Sequence, residues 1–451
     1  MYKILLCILL IHFLCPAHVL AAEDKMFYAA PSRLPGTENR MDTAGYWINR
    51  HPSPDQVILT PQEIDVFNSR VRDELKLAKD IFAITVNFKT ESLMKDFNAN
   101  LANFSERGYY TADGIRFDAA FMEKIRQNMN LSGVVLGIAP RYGLAVRYTD
   151  VRFLPTEQGL YESLGDIDFD QLQNSTLDIG TPVAVVHQSA DKKWYYVLTA
   201  LCDGWVEADR IALGDVKTVR DFVQAKTFGV AITPKADIFL NEDMTRHYDY
   251  VRMGTRLALV GASSNEVSIL LPTMDKDGKL QMVQGYMDSA DIHEGYLPYT
   301  PRVIYTQAFA MLNQPYGWGG MYGQQDCSAF LDEVFATVGI VLPRDSKDQA
   351  QAGQVSVLFD IKNNNEQKVQ ALKGVLGATA LLPMKGHIML YLGMEEGRPY
   401  AIHAIWAFRE RKGSQDIVRV INRVVVSSLS LGEGSYKGSL LERLSSVVEI
   451  K

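Results

Sequence analysis

The chain has 451 residues, 47% of them hydrophobic and 22% charged, with a formal net charge of -7. A globular chain of this length exceeds one ordinary core and is expected to divide into roughly three or four domains. The acidic balance argues against a nucleic-acid partner, whose electrostatic footprint is a basic patch.

Met1-Tyr-Lys3 followed by the apolar run Ile4 to Leu14 has the layout of a secretory signal, with small residues at Val19-Leu-Ala21 for cleavage before Ala22. Its apolar core is shorter than the ~20 residues a spanning helix needs. No stable membrane insertion is therefore expected after cleavage, and the protein is expected to be secreted or periplasmic. Cys15 follows His12-Phe-Leu14 rather than a small residue, so no lipid anchor is expected. Loss of residues 1–21, whose one charged side chain is Lys3, brings the net charge to -8. Cys7 and Cys15 leave with the signal, and a disulfide between Cys202 and Cys327 is the one bridge that remains open. Cys202 lies in the strand-turn-strand pattern Trp194 to Val206 and reads as a small buried hydrophobe.

Residues 23 to about 55 are rich in Pro, Gly and Asn and read as an extended arm. Thr60-Pro-Gln-Glu63 then matches a capping box with Pro at the first helical position, opening a helix through Ile64, Phe67, Val71, Leu75 and Leu77. A second helix is expected over Ala119 to Met129, closing a mainly helical N-terminal domain at 22–130. From Gly133 the pattern changes to short strands at 134–136, 145–148, 181–187, 194–198 and 204–206, separated by Gly, Pro, Asp and Asn turns. Such density indicates a small β-barrel, placed at 131–220. A second set at 229–232, 237–240, 256–260, 267–271, 280–283 and 285–287 indicates another, at 221–297. The blocks end alike, in Gly204-Trp-Val-Glu-Ala-Asp-Arg-Ile211 and Gly285-Tyr-Met-Asp-Ser-Ala-Asp-Ile292, which favours two related barrels. The remainder, 298–451, reads as helices over 302–312, from Cys327 onward and over 344–352, followed by strands at 378–382, 387–392, 400–408 and 419–426. The expected fold class is multidomain α+β.

Chemistry concentrates in this last part. Tyr316-Gly-Trp-Gly-Gly-Met-Tyr-Gly-Gln-Gln-Asp-Cys-Ser328 sets a cysteine after a glycine-rich loop. Phe330, Leu331, Val334, Phe335 and Val338 follow Cys327 at helical spacing, with Asp326 and Ser328 as cap-type residues. A thiol in a first helical turn feels the positive end of the dipole, which is expected to depress its pKa. The loop glycines are expected to let the backbone approach a ligand closely. A thiol nucleophile needs a base, and only His387 and His403 follow Cys327. Gly386-His-Ile-Met-Leu-Tyr-Leu392 and Tyr400-Ala-Ile-His-Ala-Ile-Trp406 read as a hairpin around Glu395-Glu-Gly-Arg-Pro399. A turn centred at Glu395 sets His403 directly opposite His387, and one residue of bulge would break that relation. One imidazole would then take the Cys327 proton and the second would orient it. Zinc held by Cys327, His387 and His403 is the competing use of the same residues, although no C-x-x-C or H-E-x-x-H motif accompanies them. His51, His187, His247 and His293 read as surface or structural. No cofactor is expected.

Taken together, Tyr316-x-Trp-Gly-Gly, Asp326-Cys-Ser328, Gly386-His387 and Ile402-His403-Ala404 resemble the NlpC/p60-type papain-like cysteine peptidases of bacterial cell walls. The upstream segments resemble a multidomain subgroup with an N-terminal stabilising domain and two bacterial SH3-like (SH3b) domains. Gly45-Tyr-Trp-Ile48, Asp55-x-Val-Ile-Leu59, Trp194-Tyr-Tyr-Val197 and Gly204-Trp-Val206 carry that part. The resemblance implies Cys327 as nucleophile, His387 as general base and later acid, and His403 as the orienting third member. It implies that Tyr316, Asp326 and Ser328 help position substrate or the oxyanion. Ala329 departs from the glycine usual after Asp-Cys-Ser. Also implied is cleavage between γ-D-glutamyl and a diamino acid, diaminopimelate or Lys, in peptidoglycan stem peptides. An acidic group of the first barrel would then hold a substrate ammonium, with Glu162, Asp166, Asp168 and Asp170 as candidates. The reading from another class is a non-catalytic cell-wall-binding protein whose SH3-like pair supplies the function.

Overall fold

The computed structural model describes residues 27–84, 90–105, 108–134, 139–263, 265–360 and 362–451. The expected signal at 1–21, and most of the strand expected at 134–136, lie outside them. Three seven-stranded sheets organise the described chain. No helix among the described residues is long and apolar enough to cross a membrane.

The first two sheets share one topology. In chain order the strands of the first are Arg141–Ala145, Thr149–Arg152, Gln173–Leu177, Pro182–Gln188, Trp194–Leu198, Asp203–Glu207 and Ile211–Gly214. Those of the second are Phe228–Ala231, Lys235–Phe239, His247–Arg252, Arg256–Ala262, Glu266–Met274, Leu280–Asp288 and Ile292–Glu294. Both assemble with the third strand at one edge, then the second, sixth, fifth, fourth, first and seventh. Gly204 and Gly285, which begin the two similar sequence endings, fall in the sixth strand of each sheet. The two blocks with similar sequence endings thus share one strand order.

The third sheet runs Phe27–Ala29, Gln415–Ser428, Arg398–Lys412, His387–Glu395, Ala380–Met384, Ser446–Glu449 and Gln354–Leu358 across its width. Its one parallel pair joins Phe27–Ala29 to Gln415–Ser428. The helices Pro301–Ala310 and Cys327–Ala336 pack on it through Ile304, Phe330, Leu331, Val334 and Phe335, all fully buried with Ile388 and Ile402. Each such side chain contributes roughly 1.5–3 kcal/mol by leaving water.

The N-terminal segment behaves differently from the single helical domain expected at 22–130. Thr60 and Glu63 form the capping box, and the helix Pro61–Ser69 begins as expected. Its Ile64 and Phe67, however, join the core of the third sheet, as does Trp47, which is 1% exposed and donates its indole N–H to Met41 O at 2.8 Å. The stretch expected as an extended arm is therefore partly core, because a buried indole anchors it. The helix Thr90–Ser105, through Phe97 and Leu101, and the helix Ala119–Asn128 with its cap Met129, through Ile125 and Met129, instead pack against the first sheet beside Tyr196 and Trp205. One expected domain is thus shared between two cores.

Candidate active site

Cys327 is the first residue of its helix, and Asp326 caps it by accepting the Ala329 N–H at 2.9 Å. Asp326 does more than cap. Its Oδ1 also accepts from Ser328 Oγ at 3.1 Å, its Oδ2 accepts the Gly319 N–H at 3.1 Å, and Arg344 clamps both oxygens at 2.7 and 3.2 Å. Burial works to raise its carboxyl, yet the Arg344 guanidinium and these bonds hold it below the usual range. Arg344 also donates to Ser175 Oγ of the first barrel at 2.8 Å, tying the nucleophile turn to a neighbouring sheet. Sequence reading missed Arg344, since nothing adjacent to it in the chain marks it.

The glycine loop also packs against the first sheet, while its Gly319 lines the cleft beside Cys327. Gly319 and Gly320 have φ of 59° and 90°, and a Cβ on Gly320 would lie 2.6 Å from Thr176 Oγ1 of the first barrel. A Cβ on Gly319 would meet Gln173 Cγ at 2.7 Å. Tyr148 OH donates to Gly320 O at 2.5 Å and accepts the Gly323 N–H at 3.2 Å. The glycines thus admit the barrel edge strand Gln173–Leu177 close to the loop.

His387 begins its strand directly after the Lys385-Gly386 turn, in which Gly386 has φ of 75°. The next turn is centred on Glu396 and Gly397, with φ of 49° and 77°, rather than on Glu395. From that turn Glu395 pairs with Arg398, Met394 with Pro399 and Gly393 with Tyr400. Leu392 is then skipped, and Tyr391 pairs with Ala401 and Leu390 with Ile402. This register sets Met389 opposite His403, so the two histidines share a face on a diagonal instead of standing opposite each other. Without the bulge Leu390 would face His403, and the imidazoles would lie on opposite sides of the sheet.

The diagonal suffices for contact. His387 Nε2 and His403 Nδ1 are 2.7 Å apart, and His403 Nε2 lies 2.8 Å from Ser427 Oγ on the next strand. Both His403 nitrogens are thus engaged, and Nδ1 is the one nitrogen of His387 left for another partner. Among the described residues no group of three or more His, Cys, Asp or Glu is arranged to hold a metal ion. Cys202 and Cys327 are both free thiols.

Cys327, 9% exposed, and His387 line one cleft of about 550 Å³. Burial, and then the Asp326 charge, push the Cys327 thiol up to about 12, while the Ile388 backbone N–H works the other way. Burial, and then the Arg443 charge, push His387 down to about 3. His403 is held well below its ordinary value by burial and by His387. Burial of the sulfur thus works against the depression expected from the helix start.

Tyr316, Asp326 and Ser328 all line this cleft. The Tyr316 hydroxyl is pushed well above its ordinary value by burial and by the neighbouring Asp326 and Cys327. Ser328 Oγ is spent on Asp326 and on Arg344, the latter at 3.0 Å. The first barrel walls the cleft with Phe153, Phe169, Gln173 and Asn174. None of its four candidate carboxylates is in that lining. Asp170 is buried in an ion pair with Arg152 at 2.8 Å, and Asp168 accepts the Trp406 indole N–H at 2.8 Å. Trp406 and Gln173, which line the cleft, and Ser427, which ends the relay, are residues that the sequence alone did not single out.

The sequence model of the NlpC/P60 family matches residues 313–411, and that of an SH3 domain of SH3b1 type matches residues 160–207. A gamma-D-glutamyl-L-lysine dipeptidyl-peptidase from Bacillus subtilis (strain 168) is 46% identical over 61 residues. That match spans 13% of this chain and 20% of the relative's length. Among solved structures, an NlpC/P60 endopeptidase from Photobacterium damselae subsp. piscicida superposes with a TM-score of 0.74 at 21% identity, covering 90% of this chain and 96% of that one. An NlpC/P60 family protein from Bacillus cereus ATCC 10987 gives a TM-score of 0.44 at 19% identity over 61% of this chain and 82% of that one.

Proposed function

We propose that this chain, which carries an NlpC/P60 domain and an SH3b1-type domain, is a cysteine peptidase of peptidoglycan stem peptides, with Cys327 as nucleophile, His387 as general base and His403 as the residue that orients it. The observation that carries the reading is the His387–His403–Ser427 relay, at 2.7 and 2.8 Å, leading away from a cleft that holds both Cys327 and His387. If Ser427 Oγ accepts from His403 Nε2–H, then His403 Nδ1 is an acceptor and His387 Nε2 must donate to it. That tautomer leaves His387 Nδ1 as a lone pair for the thiol proton. The sulfur then attacks the peptide carbonyl, and the Cys327 backbone N–H at the helix start is a natural oxyanion donor. Protonated His387 returns the proton to the leaving amine, and water hydrolyses the thioester.

The bond proposed is that between γ-D-glutamate and a diamino acid, supported by the 46% identity over 61 residues to a peptidase named for γ-D-glutamyl-L-lysine. The second sheet, with the strand order of the first, is proposed as a second SH3-like barrel, and the helices before the first barrel as a stabilising segment. A secreted or periplasmic location fits a cell-wall substrate. Cys327→Ala should abolish release of the diamino acid from synthetic L-Ala-γ-D-Glu-diaminopimelate, and undiminished turnover would refute the thiol mechanism.

A further inference from the structure

The cleft continues beyond His387. Past Trp406 it opens into a second cavity of about 350 Å³, and the two share Phe169, Ile405, Trp406, Ala407, Lys437 and Arg443 as walls. Trp406 stands between them, its indole edge fixed by Asp168 and its ring flanked by Phe169 and Phe27 at centroid distances of 4.9 and 5.7 Å. The charged groups facing this region are mostly cationic. Arg443, half-buried at the end of the short helix Leu440–Arg443, lines both chambers, as does the exposed Lys437. Arg409 lines the outer chamber, where it lies 4.9 Å from the centroid of the Tyr436 ring. Asp166 is the carboxylate in that wall, and Asp168 is spent on Trp406.

Among the described residues no carboxylate forms an ion pair with Arg443 or Lys437. Arg344, by contrast, is closed off by Asp326, and Arg252 by Asp178 and Glu333. A guanidinium partly withdrawn from water, and ion-paired to no carboxylate among the described residues, loses solvation that an incoming anion can replace, and its fork geometry matches a carboxylate.

We infer that Arg443, with Lys437, forms a subsite for a carboxylate of the bound peptide, so that the substrate runs from Cys327 past Trp406 into the outer chamber. The inference rests on the peptidase reading and sharpens its substrate. Two carboxylates of a stem peptide have this chemistry: the α-carboxylate of the γ-linked glutamate and the side-chain carboxylate of diaminopimelate, which lysine lacks. The subsite also acts on the base electrostatically, since Arg443 and His387 line the same cleft and the Arg443 charge helps hold His387 down. A carboxylate seated on Arg443 cancels that charge and makes His387 more basic when substrate is present.

Binding to the full chain carrying Cys327→Ala separates this claim from turnover. Three probes, each with the C-terminal α-carboxyl of its diamino acid amidated so that only the two candidate carboxylates differ, are titrated calorimetrically: L-Ala-γ-D-Glu-meso-diaminopimelate, its lysine counterpart, and the same diaminopimelate peptide with the glutamate α-carboxylate amidated as well. The first should bind about tenfold tighter than at least one of the other two, the size expected of one charge-assisted contact. Which one is weakened assigns the carboxylate. Adding Arg443→Gln should erase the difference and leave the weaker peptide's affinity unchanged, while Arg443→Lys restores part of it. Lys437→Gln, at an exposed position with little bearing on folding, should reduce the difference about threefold. Equal binding of all three peptides, or equal weakening of all three by Arg443→Gln, overturns the subsite. Failure of every peptide to bind overturns it as well, and cleavage of the diaminopimelate peptide by the wild-type chain then decides whether the peptidase reading falls too.

Discussion

His387 and His403 are hydrogen-bonded at 2.7 Å although they occupy a diagonal of the ladder, a contact created by the bulge at Leu392. The relay ends on Ser427, 2.8 Å from His403 Nε2. His387→Ala should lower kcat by about a thousandfold, the usual worth of a positioned general base. Ser427→Ala removes only the far support of the orienting ring and should lower kcat about threefold to tenfold at constant KM. Steady-state kinetics on a stem peptide checks both, and an unchanged kcat in Ser427→Ala would sever the relay from catalysis.

Burial pushes the Cys327 thiol up to about 12 and His387 down to about 3, so in the empty cleft it favours the neutral form of each. A thiol with a raised pKa ionises late. Alkylation of Cys327 by iodoacetamide should therefore keep accelerating from neutral into alkaline pH. Mass spectrometry of the labelled protein follows this directly, and a rate plateau already reached below neutrality would indicate a preformed thiolate–imidazolium pair instead.

Burial also depresses His403, with the same sense for stability. The unfolded chain takes up protons at both histidines near pH 6.5, whereas the folded chain resists until much lower pH. Stability is complete above the unfolded value and declines as pH falls toward the folded ones. The thermal unfolding midpoint should drop between about pH 7 and pH 4, and His403→Gln should flatten that slope. An equally steep slope in the variant would assign the loss to other groups.

Arg252 joins three units, pairing with Asp178 of the first barrel at 2.6 Å and with Glu333 of the nucleophile helix at 3.0 Å. Burial leads Glu333 upward to about 8 even so, with Arg252 opposing the rise. Arg252→Ala strands two acids in a buried junction and should cost about 3–5 kcal/mol in urea unfolding. A loss below about 1 kcal/mol would place the pair in the class of solvated surface bridges.

Gly320 should not tolerate a side chain, given its φ of 90° and the 2.6 Å approach to Thr176 Oγ1. Gly320→Ala should destabilise by about 1–3 kcal/mol, combining backbone strain with overlap at the barrel contact. Gly278→Ala, with φ of 79° and open space around its Cβ position, carries the backbone part alone and should cost less. Equal losses in the two variants would remove the barrel contact from the account.

Local chemistry was legible wherever its cause lies within a few residues. The capping box at Thr60, the helix from Cys327, the repeat ending at Gly204 and Gly285 and the order Cys327, His387, His403 all follow from spacing and residue type. Helix Thr90–Ser105 was missed although Leu93, Phe97, Leu101 and Phe104 repeat at helical intervals. What tertiary structure alone decided depends on groups distant in the chain. Arg344 and Ser175 meet across 169 positions, and Trp47 enters a core most of whose members lie more than two hundred positions later. The histidine pair shows the division most closely. Strand periodicity determines which residues share a face only until a bulge intervenes, and Leu392 restores by an extra residue the parity that the Glu396-Gly397 turn would have lost. Likewise the type of the nucleophile was readable from its helix start, but its ionisation was not, because desolvation is set by everything that closes over the sulfur.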